Sequence, residues 1–427
     1  MTGFNSILEI LFLKDLICFL KIEKSVNCIL FDQPDLRESL LPFTFLRPIA
    51  GLRLGIVPIE EKWKMLLGED FPISFKTKDY LQNKFGLTIA EDNLLINSSA
   101  LPSKSFLAQI EDLKHGDALV QDGMVIAMKA SRIETLAFFE SFEAIKYKHY
   151  QGPIDILKYP WQLFHFNGNQ MRLDFDLLTK GRKSKPIDDK HTVVYGENIF
   201  IEEGVKIRAS VLNAEEGPIY IGKDSEIKEG SLIRGPFAMG EHSMLNLGAK
   251  MQGESSLGPY CKLGGEVSNS IFLGFSSKVH DGFMGHSVVG EWCNIGADTN
   301  TSNLKNNYAS VKLWNYHHQE YFDTNQQFCG LMLGDHSKVG INTMFNTGTV
   351  VGVCCNIFGG GFPPKFIPSF SWGGAEGMET FKLEQAFDVI SRAMARRNKS
   401  LSPQEQTHLK EVFEKEKVMR NLLVKER

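Results

Sequence analysis

Between Ile221 and Leu263 a large apolar residue returns at every sixth position: Ile221, Ile227, Ile233, Met239, Leu245, Met251, Leu257 and Leu263. The beat resumes at Leu273 and Val279, slips by four, and returns at Val289 and Ile295. It runs again through Leu333, Val339, Phe345, Val351 and Ile357. Small residues sit four places after many of these, among them Ser225, Ala249, Cys261, Ser337 and Cys355. Glycine follows several directly, as at Gly222, Gly240, Gly258, Gly290, Gly334 and Gly352. A period of six fits neither an α-helix nor a half-buried strand. It is the signature of a parallel β-helix, in which three hexapeptides close one triangular coil. The large side chain points into the prism and stacks on its equivalent one coil away. The small residue shares that interior, and glycine relieves the tight corner. Coils of this type are expected to wind left-handed, against the usual crossover rule.

The segment before the repeats has a different grammar. Asn27–Phe31 reads as a buried first strand, and a helix start is expected near Ile59-Glu-Glu-Lys-Trp63. Leu94–Ile96, Ala118–Val120 and Met124–Met128 look like later strands, with helices over Lys104–Leu113 and Ile133–Ile145. Strands alternating with helices predict an α/β layer domain. The predicted division is an extension over 1–24, an α/β domain over 25–190, a β-helix over 191–372 with a loop at 304–332, and C-terminal helices over 373–427. Phe381–Arg397 and Ser402–Val424 each have helical spacing, and such helices would cap the prism's end.

Composition narrows the function classes. A net charge of −4 with mixed signs argues against nucleic acid as the main partner. Seven cysteines without a C-x-x-C pair suggest reduced thiols in a cytoplasm. Ile7–Leu20 is too short and too charged to span a bilayer, so no membrane partner is expected.

The stretch Gly285-His-Ser-Val-Val-Gly-Glu-Trp-Cys-Asn-Ile-Gly-Ala-Asp-Thr-Asn-Thr-Ser-Asn303 resembles the acyltransferase segment of bifunctional N-acetylglucosamine-1-phosphate uridylyltransferase/glucosamine-1-phosphate acetyltransferase. The chain from about Asn27 to Arg397 is similar to a divergent branch of that family. The branch is carried by Leu40-Leu-Pro-Phe-Thr-Phe-Leu-Arg-Pro48, Phe345-Asn-Thr-Gly-Thr-Val-Val-Gly352 and Pro368-Ser-Phe-Ser-Trp-Gly-Gly374. The resemblance implies two activities. An N-terminal domain joins a sugar 1-phosphate to a nucleotide (UTP or dTTP) with Mg²⁺, and the β-helix acetylates the sugar amine with acetyl-CoA. It also implies a homotrimer with acyl-donor sites between prisms.

By the same resemblance His286 matches the general base. An ammonium cannot attack a thioester until it loses a proton, and an imidazole suits that transfer near neutral pH. Asn294, Asn303, Lys305 and Tyr308 follow in the chain, the last two within the segment that breaks the repeat. Long loops on rigid scaffolds commonly carry binding, so these four are the candidate sugar and phosphate contacts. In the N-terminal half, Ile29-Leu-Phe-Asp-Gln-Pro-Asp-Leu-Arg37 stands where the family has a Gly-rich phosphate turn. The glycines are gone, and Pro34 cannot donate an N–H. Arg37, Arg47, Arg53 and Lys62 are the expected replacements, binding the triphosphate by side-chain charge. The family's metal Asp is also missing, which leaves Asp174 and Asp176 as Mg²⁺ candidates.

Two departures touch the β-helix. Gly235-Pro-Phe-Ala238 is followed by Met239-Gly-Glu-His, where the family has Arg, and the family's later Lys falls near Asn269. Another basic residue, such as Arg234, would then hold the sugar phosphate, or the acceptor differs. Two readings compete with a bifunctional enzyme. One is a nucleotidyltransferase whose β-helix only oligomerises it, and the other is a non-catalytic trimeric scaffold.

Overall fold

The computed structural model describes residues 26–425 apart from Glu69. The extension read over 1–24 lies outside them. The described chain forms two compact units.

The first unit comprises the chain to Gln33, Glu60–Thr77 and Phe85–Ile156. Its sheet has six strands: β1 Asn27–Phe31, β2 Ile73–Lys76, β3 Asp92–Asn97, β4 Ala118–Gln121, β5 Met124–Ser131 and β6 Tyr147–His149. Their order is β2-β1-β3-β5-β4-β6. β1 is parallel to both neighbours. Its Cys28-Ile-Leu-Phe31 run is fully buried, as an unbroken apolar strand inside a parallel sheet should be. β4 and β5 form a hairpin closed by Asp122-Gly123, both at positive φ, the backbone that a two-residue hairpin turn demands. Ser131 and Glu134 make a capping box that starts the helix Arg132–Ser141.

The second unit comprises Pro34–Ile59, Lys78–Lys84 and the chain from Leu157 onward. Residue 190, the expected boundary, lies inside this unit. Asn167 donates to the Glu254 carbonyl at 2.7 Å, and Arg53 Nε donates to that of Leu273 at 3.2 Å. These contacts tie the early segments to the repeats within this unit.

The repeats form three sheets of six, nine and ten strands, all parallel except Gly377–Thr380 at the edge of the last, which runs antiparallel to Ser371–Gly374. Ile221 pairs with Met239 and Met239 with Leu257, while Ile227 pairs with Leu245 and Leu245 with Leu263. One continuous apolar core runs along the inside. The small residues do more than save space. Ser243 Oγ donates to the Gly258 carbonyl at 3.0 Å and accepts from Cys261 N–H at 3.0 Å. Ser276 repeats the pattern toward Gly290 and Cys293, and Ser337 toward Gly352 and Cys355. At these steps a buried hydroxyl stitches one coil to the next.

The role expected for glycine needs correction. A Cβ on Gly222 would lie 2.7 Å from the Gly240 carbonyl carbon, and one on Gly334 would lie 2.6 Å from that of Gly352. These glycines permit close approach between coils. The left-handed corner positions belong instead to His242, Tyr260, Phe275, Trp292 and His336, with φ between 54° and 61°. Their rings stack in sequence, Tyr260 on Phe275 at 5.0 Å and Phe275 on Trp292 at 4.3 Å.

The middle of the beat is also corrected. Leu257 pairs with Phe272, and Leu263 with Lys278, so the inward positions are Phe272 and Lys278 rather than Leu273 and Val279. Coils here are shorter than three full hexapeptides, which moves the inward position by one. Lys278 is 1 % exposed and its ammonium donates to the Gly264 and His280 carbonyls at 3.3 and 3.0 Å. Burial pushes its pKa down from 10.5 to about 8, despite Asp281 and Asp298 nearby. Below pH 8 the folded state must hold a buried charge that the unfolded chain holds in water. That penalty, about 3 kcal/mol at most, fades as pH rises from 8 through 10.5. Lys278→Met is therefore expected to stabilise the protein by about 1–2 kcal/mol at neutral pH, the lost carbonyl bonds offsetting part of the gain. A lower melting midpoint for the variant at pH 7 would contradict this account.

The segment 304–332 leaves the prism as expected, but it is folded. Lys312–Asn315 and Glu320–Asp323 form an antiparallel hairpin, and Phe322 stacks on Tyr159 at 5.3 Å. At the C-terminus the helix Leu383–Ala395 agrees with expectation. The second expected helix is two, Pro403–Lys415 and Lys417–Lys425. They part at Glu416, whose carboxylate turns inward to accept from Ser369 N–H at 3.2 Å. No helix among the described residues is long and apolar enough to cross a membrane.

Candidate active site

His286 sits at the prism corner between the strands Phe283–Gly285 and Val288–Glu291, with φ of 48°. Its N–H bonds the Ser268 carbonyl at 3.0 Å, and its carbonyl accepts from Gly330 N–H at 2.8 Å. The backbone is thereby pinned to the coil on either side. The ring stacks on Phe328 at 5.0 Å and meets the edge of Phe164 at 5.5 Å. Burial between these rings pushes its pKa from 6.5 down to about 4. The imidazole is thus neutral at pH 7, the state in which it accepts a proton.

Which nitrogen accepts depends on Asn303. Its side-chain amide nitrogen, Nδ2, lies 3.0 Å from His286 Nδ1, and turning the amide over would bring the oxygen there instead. When the amide N–H donates, Nδ1 carries no proton, and the neutral ring holds its hydrogen on Nε2. When the amide oxygen faces Nδ1, the proton is fixed on Nδ1 and the Nε2 lone pair is free. The base chemistry requires the second arrangement.

The other expected contacts divide. Asn303 is brought to His286. Lys305 lies further along the loop and donates to the Ser310 carbonyl. Tyr308 is 65 % exposed on the same loop. Asn294 is exposed on the ten-stranded sheet, whereas His286 lies between the other two, so one chain does not join them. The sequence did not single out Phe164 and Phe328. Both are aromatic, and only the fold reveals that they clamp one ring.

Most of the residues expected to hold nucleotide and metal have structural partners. Arg37 donates to the Thr44 carbonyl and to Tyr80 Oη at 3.3 Å. Arg47 is buried and forks onto Asp335 at 2.9 and 3.1 Å, with Glu291 at 3.2 Å. Burial pushes its guanidinium down, but the two carboxylates outweigh that and hold it charged. Arg53 donates to the Leu273 and Ile56 carbonyls. Lys62 is buried in the sheet unit. Asp174 is buried and accepts from Ile56 and Val57 N–H at 2.7 and 3.3 Å, while Asp176 on the same helix is exposed. Asp174 and Asp176 therefore do not fit a Mg²⁺ site. No group of three potential ligands occurs among the described residues.

A different feature marks the sheet unit. β2 and β3 flank β1 on opposite sides, so the chain changes direction there, and ligands bind such switch points beyond the carboxyl ends of the strands. Ser98 and Ser99 follow β3 at that end. Their hydroxyls are fully buried and have no hydrogen-bond partner among the described residues. Asp32 follows β1 and accepts from Thr77 Oγ1 at 2.6 Å. Buried hydroxyls without partners are rare and point to something that satisfies them.

Residues 28–183 match the family model described as sugar nucleotidyl transferase. Both relatives described next are named as bifunctional, and the first carries both activities in its name. The bifunctional sugar-1-phosphate nucleotidylyltransferase/acetyltransferase of Sulfurisphaera tokodaii is 29% identical over 171 residues, 39% of this chain and 40% of that protein. The bifunctional protein GlmU of Methanocaldococcus jannaschii is 30% identical over 173 residues, 40% of this chain and 38% of that protein. The chain thus spans about two fifths of the length of these curated relatives. They bear out the resemblance read from the motifs. Among solved structures, the polySia-specific acetyltransferase NeuO is 12% identical with a TM-score of 0.26, covering 45% of this chain and 79% of that one. The Arabidopsis UDP-N-acetylglucosamine acyltransferase is 17% identical with a TM-score of 0.21, covering 49% and 76%.

Proposed function

We propose that the chain is a bifunctional sugar-nucleotide enzyme. It acetylates an amino-sugar 1-phosphate with acetyl-CoA in the prism and transfers a nucleotidyl group to the sugar 1-phosphate in the sheet unit, giving a UDP-N-acetylglucosamine-type product. The observation that carries the first half is His286, held neutral between two aromatic rings with an amide on Nδ1. With Nδ1 protonated, Nε2 takes the proton shed as the amine nitrogen bonds to the thioester carbonyl. The C–S bond breaks, the CoA thiolate leaves, and the proton passes to its sulfur. No covalent enzyme intermediate is needed. Asn303 positions the imidazole, and Lys305 and Tyr308 line the approach as contacts for phosphate and hydroxyl groups.

The second half is supported by the family match over 28–183 and by the unpartnered Ser98 and Ser99 hydroxyls beside Asp32. The triphosphate, UTP or dTTP, would meet these groups rather than Arg47 or Arg53, whose charges are engaged. A homotrimer is part of the same reading, since Val193, Tyr195 and Leu232 leave an exposed apolar strip on the six-stranded sheet.

Incubation with a panel of sugar 1-phosphates, UTP or dTTP with Mg²⁺, and acetyl-CoA tests the reading, with products identified by mass. Light scattering on the same sample should give three times the 48.1 kDa chain mass. The reading fails if neither an N-acetylated sugar phosphate nor a sugar nucleotide forms.

A further inference from the structure

A cavity of about 400 Å³ in the second unit belongs to neither proposed site. Its wall is drawn from four separate stretches of chain: Arg37 on the helix Pro34–Ser39, Lys78 and Tyr80 before β3, Tyr316 and Gln319 in the segment that leaves the prism, and Lys415 at the end of the helix Pro403–Lys415. The fold gathers these cations around one ring. The Lys415 ammonium lies 4.5 Å from the Tyr80 centroid and the Arg37 guanidinium 5.8 Å from it. Burial and then the repulsion of Lys78 and Arg37 push the Lys415 ammonium below its usual range.

The acids on the same wall do not balance the cations. Glu38 pairs with Lys78 at 3.2 Å and also faces His317 at 3.4 Å. Glu416 is buried, and that burial pushes its pKa up to about 7, so near neutrality much of it is uncharged. Cations forced together around an open space are held there at a cost that a bound anion would remove. Ammonium and guanidinium donors converging on one volume suit tetrahedral oxyanions, which accept several charge-assisted hydrogen bonds at once.

We propose that this cavity binds a phosphate-type dianion, free or at the end of a small phosphoester, through Lys78 and Lys415 with Arg37 as third cation. The proposal stands apart from the His286 and Ser98–Ser99 readings and would survive the failure of either. Nucleotidyl transfer releases pyrophosphate, so an anion of this class is present wherever that reaction runs.

Equilibrium dialysis of the full chain against orthophosphate, pyrophosphate and a hexose 1-phosphate separates the sources. Binding of all three marks a site for the phosphoryl group alone, and binding of the ester only marks a phosphoester site. Lys415→Gln is expected to weaken binding by about tenfold or more, as loss of one charge-assisted contact should. Lys78→Gln should act likewise, and circular dichroism should show both variants folded. The proposal is overturned if none of the three anions binds at millimolar concentration. It is equally overturned if Lys415→Gln and Lys78→Gln bind as tightly as the parent, because the anion then sits elsewhere.

Discussion

His286→Ala is expected to lower acetyl transfer by about 10²–10⁴-fold while sugar-nucleotide formation continues at the parent rate. The ring is clamped by Phe164 and Phe328, and among the described residues no other imidazole is hydrogen-bonded to Asn303. The pH dependence gives an independent check. Burial lowers the His286 pKa to about 4, so the base is deprotonated from pH 4 upward, and its limb in kcat/KM lies there rather than near 6.5. The same shift carries a stability cost with a definite sign. As pH falls from 6.5 to 4 the unfolded chain gains a proton that the folded chain refuses, so folding weakens across that window. Asn303→Asp should put a carboxylate on Nδ1, raise the imidazole pKa and move the limb upward. Separate radiometric assays of the two reactions decide the matter. An unchanged acetylation rate in His286→Ala would remove His286 from catalysis. A limb that stays put in Asn303→Asp would deny Asn303 its positioning role.

What the sequence could show divides along the range of the interaction. The hexapeptide beat is local, and it exposed the prism because each inward residue repeats at a fixed interval. It failed at Leu273 and Val279, where coils shorten and only cross-strand pairing reveals that Phe272 and Lys278 face inward. The helical spacing over Ser402–Val424 does not show the break at Glu416, because nothing nearby in the chain tells of Ser369 N–H. His286 was legible because a motif surrounds it, whereas its clamp of Phe164 and Phe328 comes from remote segments. The basic and acidic residues of the N-terminal half misled for the same reason. A sequence displays the charge of Arg47 or Asp174 but not the group that already satisfies it. Ser98 and Ser99 are adjacent in the chain, yet a pair of serines signals nothing until their burial is known.

Arg47→Ala is expected to destabilise the protein by about 3–5 kcal/mol, the cost of leaving a buried carboxylate without its partner. Arg47 and Asp335 lie 288 positions apart, and Asp335 is 1 % exposed. Its Oδ1 also accepts from Glu291 N–H at 2.6 Å, so the carboxylate is anchored and cannot follow a departing guanidinium into water. Were Arg47 a triphosphate contact, the same substitution would weaken nucleotide affinity and leave the melting midpoint nearly unchanged. The two roles therefore separate on two measurements, thermal unfolding and UTP binding. Charge alone does not explain the expected loss, because a Lys side chain has no planar fork to span both Asp335 oxygens. Arg47→Lys should recover only part of the stability. The double variant Arg47→Met, Asp335→Leu removes both charges together and should lie closer to the parent than Arg47→Ala does. If Arg47→Ala melts like the parent and loses UTP affinity, the ion pair is not what holds this segment to the prism, and Arg47 returns to the nucleotide site.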